Sequence, residues 1–266
     1  MKIPVFQIDA FTGEPFSGNP AAVCPLDEWL TEEQMLQIAE EMNLSETAFF
    51  VKRRDGDFDL RWFTPTVEVD LCGHATLAST FVITERLETD RDLIGFHTRS
   101  GYLTASRNGD LVTLDFPINR PSQIDDADLI EQVAAALGDR PLEVWSANTT
   151  IAVYENENQV RNLKPDFDAV AQLPEPWVAA TARGSETGID FISRFFVPTA
   201  GINEDPVTGS SHTILAPYWA NRLGKTDFTA RQISRRGGTL KCEVRGDRVL
   251  ISGKAVQTLE GVITLP

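Results

Sequence analysis

Basic residues are scarce in this chain. Lysine and arginine number 24 against 39 acidic residues in 266, giving a net charge of −15 and an isoelectric point near 4.6. Binding to a phosphate backbone depends on clustered lysine and arginine, so a nucleic-acid partner is excluded. Cysteine is scarce as well. Cys24, Cys72 and Cys242 form an odd, widely spaced set that does not suit a disulfide framework and fits a reducing, cytoplasmic compartment. Nowhere do about 18 apolar residues run together, so no membrane span is expected. The opening MKIPVFQIDAF lacks the basic flank and long apolar core of a signal peptide.

Several chemical signatures are missing too. No G-x-G-x-x-G follows a strand and no Walker sequence occurs, which argues against a nucleotide cofactor. There is no G-x-S-x-G elbow for acyl transfer. Cys72, His74, Asp205 and His212 have none of the recognised zinc-ligand spacings. The expectation is therefore an enzyme with no cofactor and no metal. Proton transfer is the chemistry its side chains can perform unaided.

What the sequence does have is an internal repeat. FDLRWFTPT at 58–66 recurs as FISRFFVPT at 191–199, and GYLTASRNGDLVTL at 101–114 recurs as GTLKCEVRGDRVLI at 238–251. The offset slips from 133 to 137 between the two blocks. In the second pair Gly109-Asp110 and Gly246-Asp247 sit between alternating runs, a hairpin signal. Between the blocks each half carries a helical-length stretch, 73–88 and 208–224, that is small or apolar on nearly every side. A helix without a solvent face must be surrounded.

The fold class expected is α+β, in two pseudo-symmetric halves, each a curved and mostly antiparallel sheet wrapped around a central helix. The first half spans 1–118, with a C-terminal strand at about 257–266 returning to it, and the second spans 119–256. Two further helices should coat the outside. One, at 31–42, opens on a Thr31/Gln34 capping box. The other, at 126–137, carries Leu129, Ile130, Val133 and Leu137 on one face and stops at Gly138.

Gly73 and Gly209 mark the starts of the central helices. Helix N-termini offer unpaired N–H groups and partial positive charge, so two of them facing a cleft between the halves would hold a small carboxylated substrate. Around these starts lie Cys72, His74, Asp205, Ser210 and His212. Upstream, Glu46 immediately precedes an apolar strand, where desolvation suits a carboxyl group to carry a proton. Each residue also has a plain reading: Glu46 as a solvated carboxylate or cap partner, His74 as a hydrogen-bonded core residue, Asp205 as a turn former, Ser210 as a cap. Their recurrence at equivalent places in the two halves favours function.

The stretches DAFTGEPFSGNPAAV (9–23), LSETAFF (44–50), FTPTVEVDLCGHATLA (63–78) and EDPVTGSSH (204–212) resemble the phenazine-biosynthesis PhzF-like isomerases, relatives of diaminopimelate epimerase. The resemblance runs over essentially the whole chain. It implies the epimerase-like fold, a homodimer and cofactor-independent isomerisation, as of trans-2,3-dihydro-3-hydroxyanthranilate. Glu46 would then be the general acid/base, with His74 and Asp205 beside it in the catalytic set. His74, Asp205 and Ser210 would orient the substrate, and Gly73 and Gly209 would approach it at the helix starts. The epimerase branch places a cysteine at each helix start. Here only Cys72 is present, so a racemase using Cys72 is an alternative, as is a binding protein that kept the fold.

Overall fold

The computed structural model describes Met1–Leu265, which divide into two compact units, 1–116 with 250–265 and 117–249. The return to the first unit begins at Leu250 rather than near 257, because it starts within a strand.

The first unit contains β1 (Lys2–Ala10), β2 (Asn19–Leu26), α1 (Glu32–Met42), β3 (Glu46–Lys52), β4 (Phe58–Phe63), β5 (Glu68–Val69), α2 (Gly73–Val82), β6 (Leu93–Thr98), β7 (Gly101–Asn108) and β8 (Leu111–Pro117). The second contains β9 (Ser122–Ile124), α3 (Ala127–Leu137), β10 (Glu143–Ser146), β11 (Thr150–Val153), α4 (Glu157–Asn162), α5 (Phe167–Ala171), β12 (Val178–Arg183), β13 (Phe191–Phe196), α6 (Gly209–Leu223), β14 (Asp227–Gln232) and β15 (Gly238–Arg245). β16 (Arg248–Gly253) leads back, and β17 (Ala255–Thr264) pairs antiparallel with β1.

The two units repeat one ladder. From β1 through β2, β3, β4 and β6 to β7 the pairings run antiparallel, parallel, antiparallel, parallel, antiparallel. From β10 through β11, β12, β13 and β14 to β15 they run in the same order. The repeat in the sequence is thus a repeat of supersecondary structure, with β4 matching β13 and α2 matching α6.

In the first unit α2 packs against β1, β2, β3, β7 and β17. One helix can touch strands so far apart in a sheet only if the sheet curls around it. Nine of its ten residues are buried. Such a helix has to satisfy its hydroxyls internally, and it does so by back-bonding. Thr76, Ser79, Thr80 and Thr84 each donate to the carbonyl four residues earlier, at 2.6, 2.8, 2.9 and 2.9 Å. Past Val82 the expected helix loosens into one π turn, Ile83–Leu87, closed by Glu88 N–H on Ile83 O at 2.7 Å.

α1 covers the other side of this sheet, burying Met35, Ile38 and Ala39 against Ile3, Val5, Ala22, Cys24, Phe49 and Phe63. Its Thr31/Gln34 capping box is formed. In the second unit α3 buries Val133, Ala136 and Leu137, and Gly138 ends it in the left-handed region at φ 78°. α6 contains Pro217, which has no N–H to give Thr213 O. Asn119 N–H fills that place at 3.1 Å.

Candidate active site

Four side chains converge in the first unit. Ala21 of β2 sits opposite Glu46, the first residue of β3. His74 is the second residue of α2 and is buried. Its Nε2 lies 3.2 Å from Glu46 Oε2. Its Nδ1 lies 3.2 Å from Asn19 Nδ2 and 3.5 Å from Cys72 Sγ. Burial pushes the imidazole down to about 3, so the ring is neutral across the physiological range. The Glu46 side chain keeps 20% exposure although Oε2 itself is buried; the 3.2 Å approach to Nε2 is a close contact short of a hydrogen bond, and the side chain stays within reach of a ligand.

Glu46, Cys72 and His74 place their ligand atoms within 4.8 Å of one another, a set that could hold a metal by composition. The geometry does not suit one. Cys72 faces Nδ1 and Glu46 faces Nε2. An ion with bonds of about 2.0–2.3 Å can use only one ring nitrogen, and would leave one of the other two ligands on the wrong side of the ring.

The second unit holds Asp205, Gly209 and Ser210 at the start of α6. The Asp205 N–H donates to Phe195 O at 2.9 Å, and its carboxylate accepts from the Thr208 hydroxyl. Buried Gln232 braces the turn from both sides of its amide: Nε2 donates to Asp205 O at 2.7 Å and Oε1 accepts from Thr208 N–H at 2.9 Å. His212 Nδ1 donates to Thr208 O at 2.8 Å. Burial, partly offset by that bond, pushes His212 down to about 4. Ser210 is exposed in the first turn, and Gly209 is buried. Ser210 is not the cap of α6; that position is Thr208.

The helix starts differ from their neighbours in one respect. α1, α3, α4 and α5 are all capped by a side chain, from Thr31, Asp126, Asn156 and Asp166. Neither α2 nor α6 has a side-chain cap bond. First-turn N–H groups without a side-chain cap are where an anionic ligand group is best received.

Each start is anchored by an ion pair. Arg61 and Glu68 form a two-pronged pair, as do Arg194 and Glu204, and each guanidinium lies over the phenylalanine two residues on. The arginine and glutamate are seven residues apart in the first copy and ten in the second. In both, the glutamate precedes the first helical glycine by five. The slip in the sequence repeat therefore begins in the segment carrying the 3-10 turn Pro198–Ala200.

The copies differ in chemistry. Where the first has Glu46 opening β3, the second opens β12 with Val178; where the first has Cys72 and His74 around the helix glycine, the second has Thr208 and Ser210. Asn19 and Gln232 were not singled out in the sequence. Asn19 had a signal, since it lies in the GNP of the first matching stretch; Gln232 had none.

The model for the phenazine biosynthesis-like protein family matches residues 8–261. An uncharacterized isomerase of Pseudomonas aeruginosa is 52% identical over 100% of both chains. A human phenazine biosynthesis-like domain-containing protein is 40% identical, covering 99% of this chain and 100% of its own. A solved PhzF-family protein from Enterococcus faecalis superposes with a TM-score of 0.95 at 43% identity, over 100% of both chains. A hydroxyproline epimerase from Agrobacterium vitis shares the fold at TM-score 0.61 and 11% identity, covering 98% of this chain and 92% of that one.

Proposed function

Because the chain belongs to the phenazine biosynthesis-like family of isomerases, we propose that it moves a proton within a small carboxylated substrate, with Glu46 as the group that carries it. The observation that supports this reading above others is the pairing of Glu46 with a buried, neutral His74 at 3.2 Å. A neutral imidazole this close can offer the carboxylate an N–H without holding a charge that would compete for the proton. Glu46 takes a proton from one carbon of the substrate, holds it as the carboxylic acid, and returns it to another carbon of the same framework. Electrons shift within the substrate and nothing is oxidised. Asp205, Ser210 and the N–H groups around Gly73 and Gly209 are assigned to binding the substrate's polar groups. This reaction draws on no cofactor, and the protein is proposed to act as a cytoplasmic homodimer.

Deuterium incorporation from heavy water, followed by NMR in dihydro-hydroxyanthranilate and a panel of small amino and hydroxy acids, tests the reading. Glu46→Gln keeps size and polarity but cannot exchange a proton. We expect exchange in one compound to fall by at least about a thousandfold in that variant. Undiminished exchange would remove Glu46 from the mechanism.

Cys72 supports a second reading, a racemase or epimerase, since its Sγ lies 3.5 Å from the same imidazole. Thiol chemistry from two sides would call for a second cysteine at the equivalent helix start, where Thr208 stands.

A further inference from the structure

Asn19 is fully buried, and its side chain lies against the His74 ring. It opens β2 opposite Ala10, directly after Gly18. Gly18 adopts φ +66°, and a Cβ there would stand 2.2 Å from Ala10 O and 2.6 Å from Thr12 Cγ2. The chain therefore accepts a restricted turn to deliver an amide to this spot.

The ring has two nitrogens and, being neutral, one proton. Nε2 faces Glu46, and an ionised carboxylate only accepts. At 3.2 Å from Glu46 Oε2 the Nε2 position favours the proton, which leaves Nδ1 as an acceptor. Asn19 Nδ2 at 3.2 Å and the Cys72 thiol at 3.5 Å are both able to donate to it. The contacts on the two sides of the ring agree.

We propose that Asn19 is a positioning residue that holds His74 in the Nε2–H tautomer, so that the imidazole keeps its N–H toward Glu46 Oε2, 3.2 Å away. The inference rests on the reading of Glu46 as the proton carrier. With Nδ1 supplied by a donor, the ring gains nothing by moving its proton away from Glu46. With Nδ1 facing an acceptor instead, the proton would be drawn to Nδ1 and Glu46 would face a bare lone pair or a full imidazolium. A bare lone pair cannot steady the carboxylate, and an imidazolium would hold it ionised and weaken it as a base. Asparagine meets the need where aspartate, of nearly the same shape, does not.

The test is the long-range proton–nitrogen correlation spectrum of the nitrogen-15-labelled protein. The chain has three histidines, and a His74→Gln variant identifies the signals of His74. In the wild type we expect a protonated Nε2 and an unprotonated Nδ1, unchanged between about pH 5 and pH 8. In Asn19→Asp, the titratable groups facing the ring become the new carboxylate from β2, Glu46 from β3 and Cys72 ahead of α2. We expect His74 there to carry a proton on Nδ1 at neutral pH, and exchange into substrate to fall at least about tenfold.

A wild-type spectrum with Nδ1 protonated would overturn the proposal, and it requires no variant to fold. So would a folded Asn19→Asp protein whose ring signals match the wild type. Because the spectra need no turnover, failure of the Glu46 assignment in the exchange experiment and failure of the tautomer assignment are read separately.

Discussion

Gly18 fixes how the His74 ring is addressed, one residue upstream of the amide that touches it. A side chain at Gly18 meets backbone at 2.2 Å in a conformation with φ +66°, so Gly18→Ala should cost about 1–3 kcal/mol of stability. A urea unfolding curve measures that loss, and exchange activity should fall with it because Asn19 moves. Cys72 predicts the opposite. It is buried, and a second thiol is missing at Thr208. Cys72→Ala should keep activity within about threefold, well short of the roughly hundredfold or greater loss expected for removing an acid or base. A larger loss would promote the racemase reading.

At the scale of elements, the loops ahead of α2 and α6 are held by the paired arginine–glutamate clamps. The Glu68 side chain is only 4% exposed and serves both Arg61 and Arg99. Glu68→Gln leaves those guanidiniums with a neutral partner beside a buried position. We expect a loss of about 1–3 kcal/mol, with kcat reduced through a loosened Gly73 start. The central helix is equally intolerant of bulk. Ala78 is fully buried in a helix packed on five strands, so Ala78→Leu should destabilise by about 1–3 kcal/mol through overpacking, seen as a shifted urea midpoint.

These elements also show what a sequence can reveal. The α1 capping box, the stop of α3 at Gly138 and the hairpin glycines were legible because each is a bond or a dihedral preference within four residues. The two central helices were legible from composition, since a stretch with no polar face has only one place to go. Glu46 and His74 were singled out as candidates through their residue types and motifs. The Asn19 contact spans 55 positions and the Gln232 brace 24 to 27, and nothing local marks an amide as aimed across that distance. The π turn after Val82 was missed because its residues are ordinary helix formers.

For the molecule as a whole, two buried neutral histidines make acid the weak side. Unfolded, His74 and His212 take up protons near the ordinary value of about 6.5; folded, they resist down to about 3 and about 4. Between those values the unfolded chain binds more protons, so stability falls as pH falls. The penalty is absent above about 6.5 and grows by about 1.4 kcal/mol per pH unit for each histidine. His212→Asn retains an amide to donate to Thr208 O and removes one titration. It should lower the slope of unfolding free energy below about pH 6.5 by up to about 1.4 kcal/mol per pH unit, measured by urea titration at stepped pH. An unchanged slope would mean that His212 is not titrating in this window.

The pairing of β17 with β1 bears on when the protein becomes complete. The second unit is continuous in the chain and can close as soon as residues up to about 249 have left the ribosome. The first unit, made earlier, must wait with β1 as an open edge until 255–264 arrive to cover it. An uncovered strand edge is a template for pairing with other chains. The unit that carries Glu46 is thus begun first in synthesis and finished last. During that interval it is the part of the nascent protein most in need of protection.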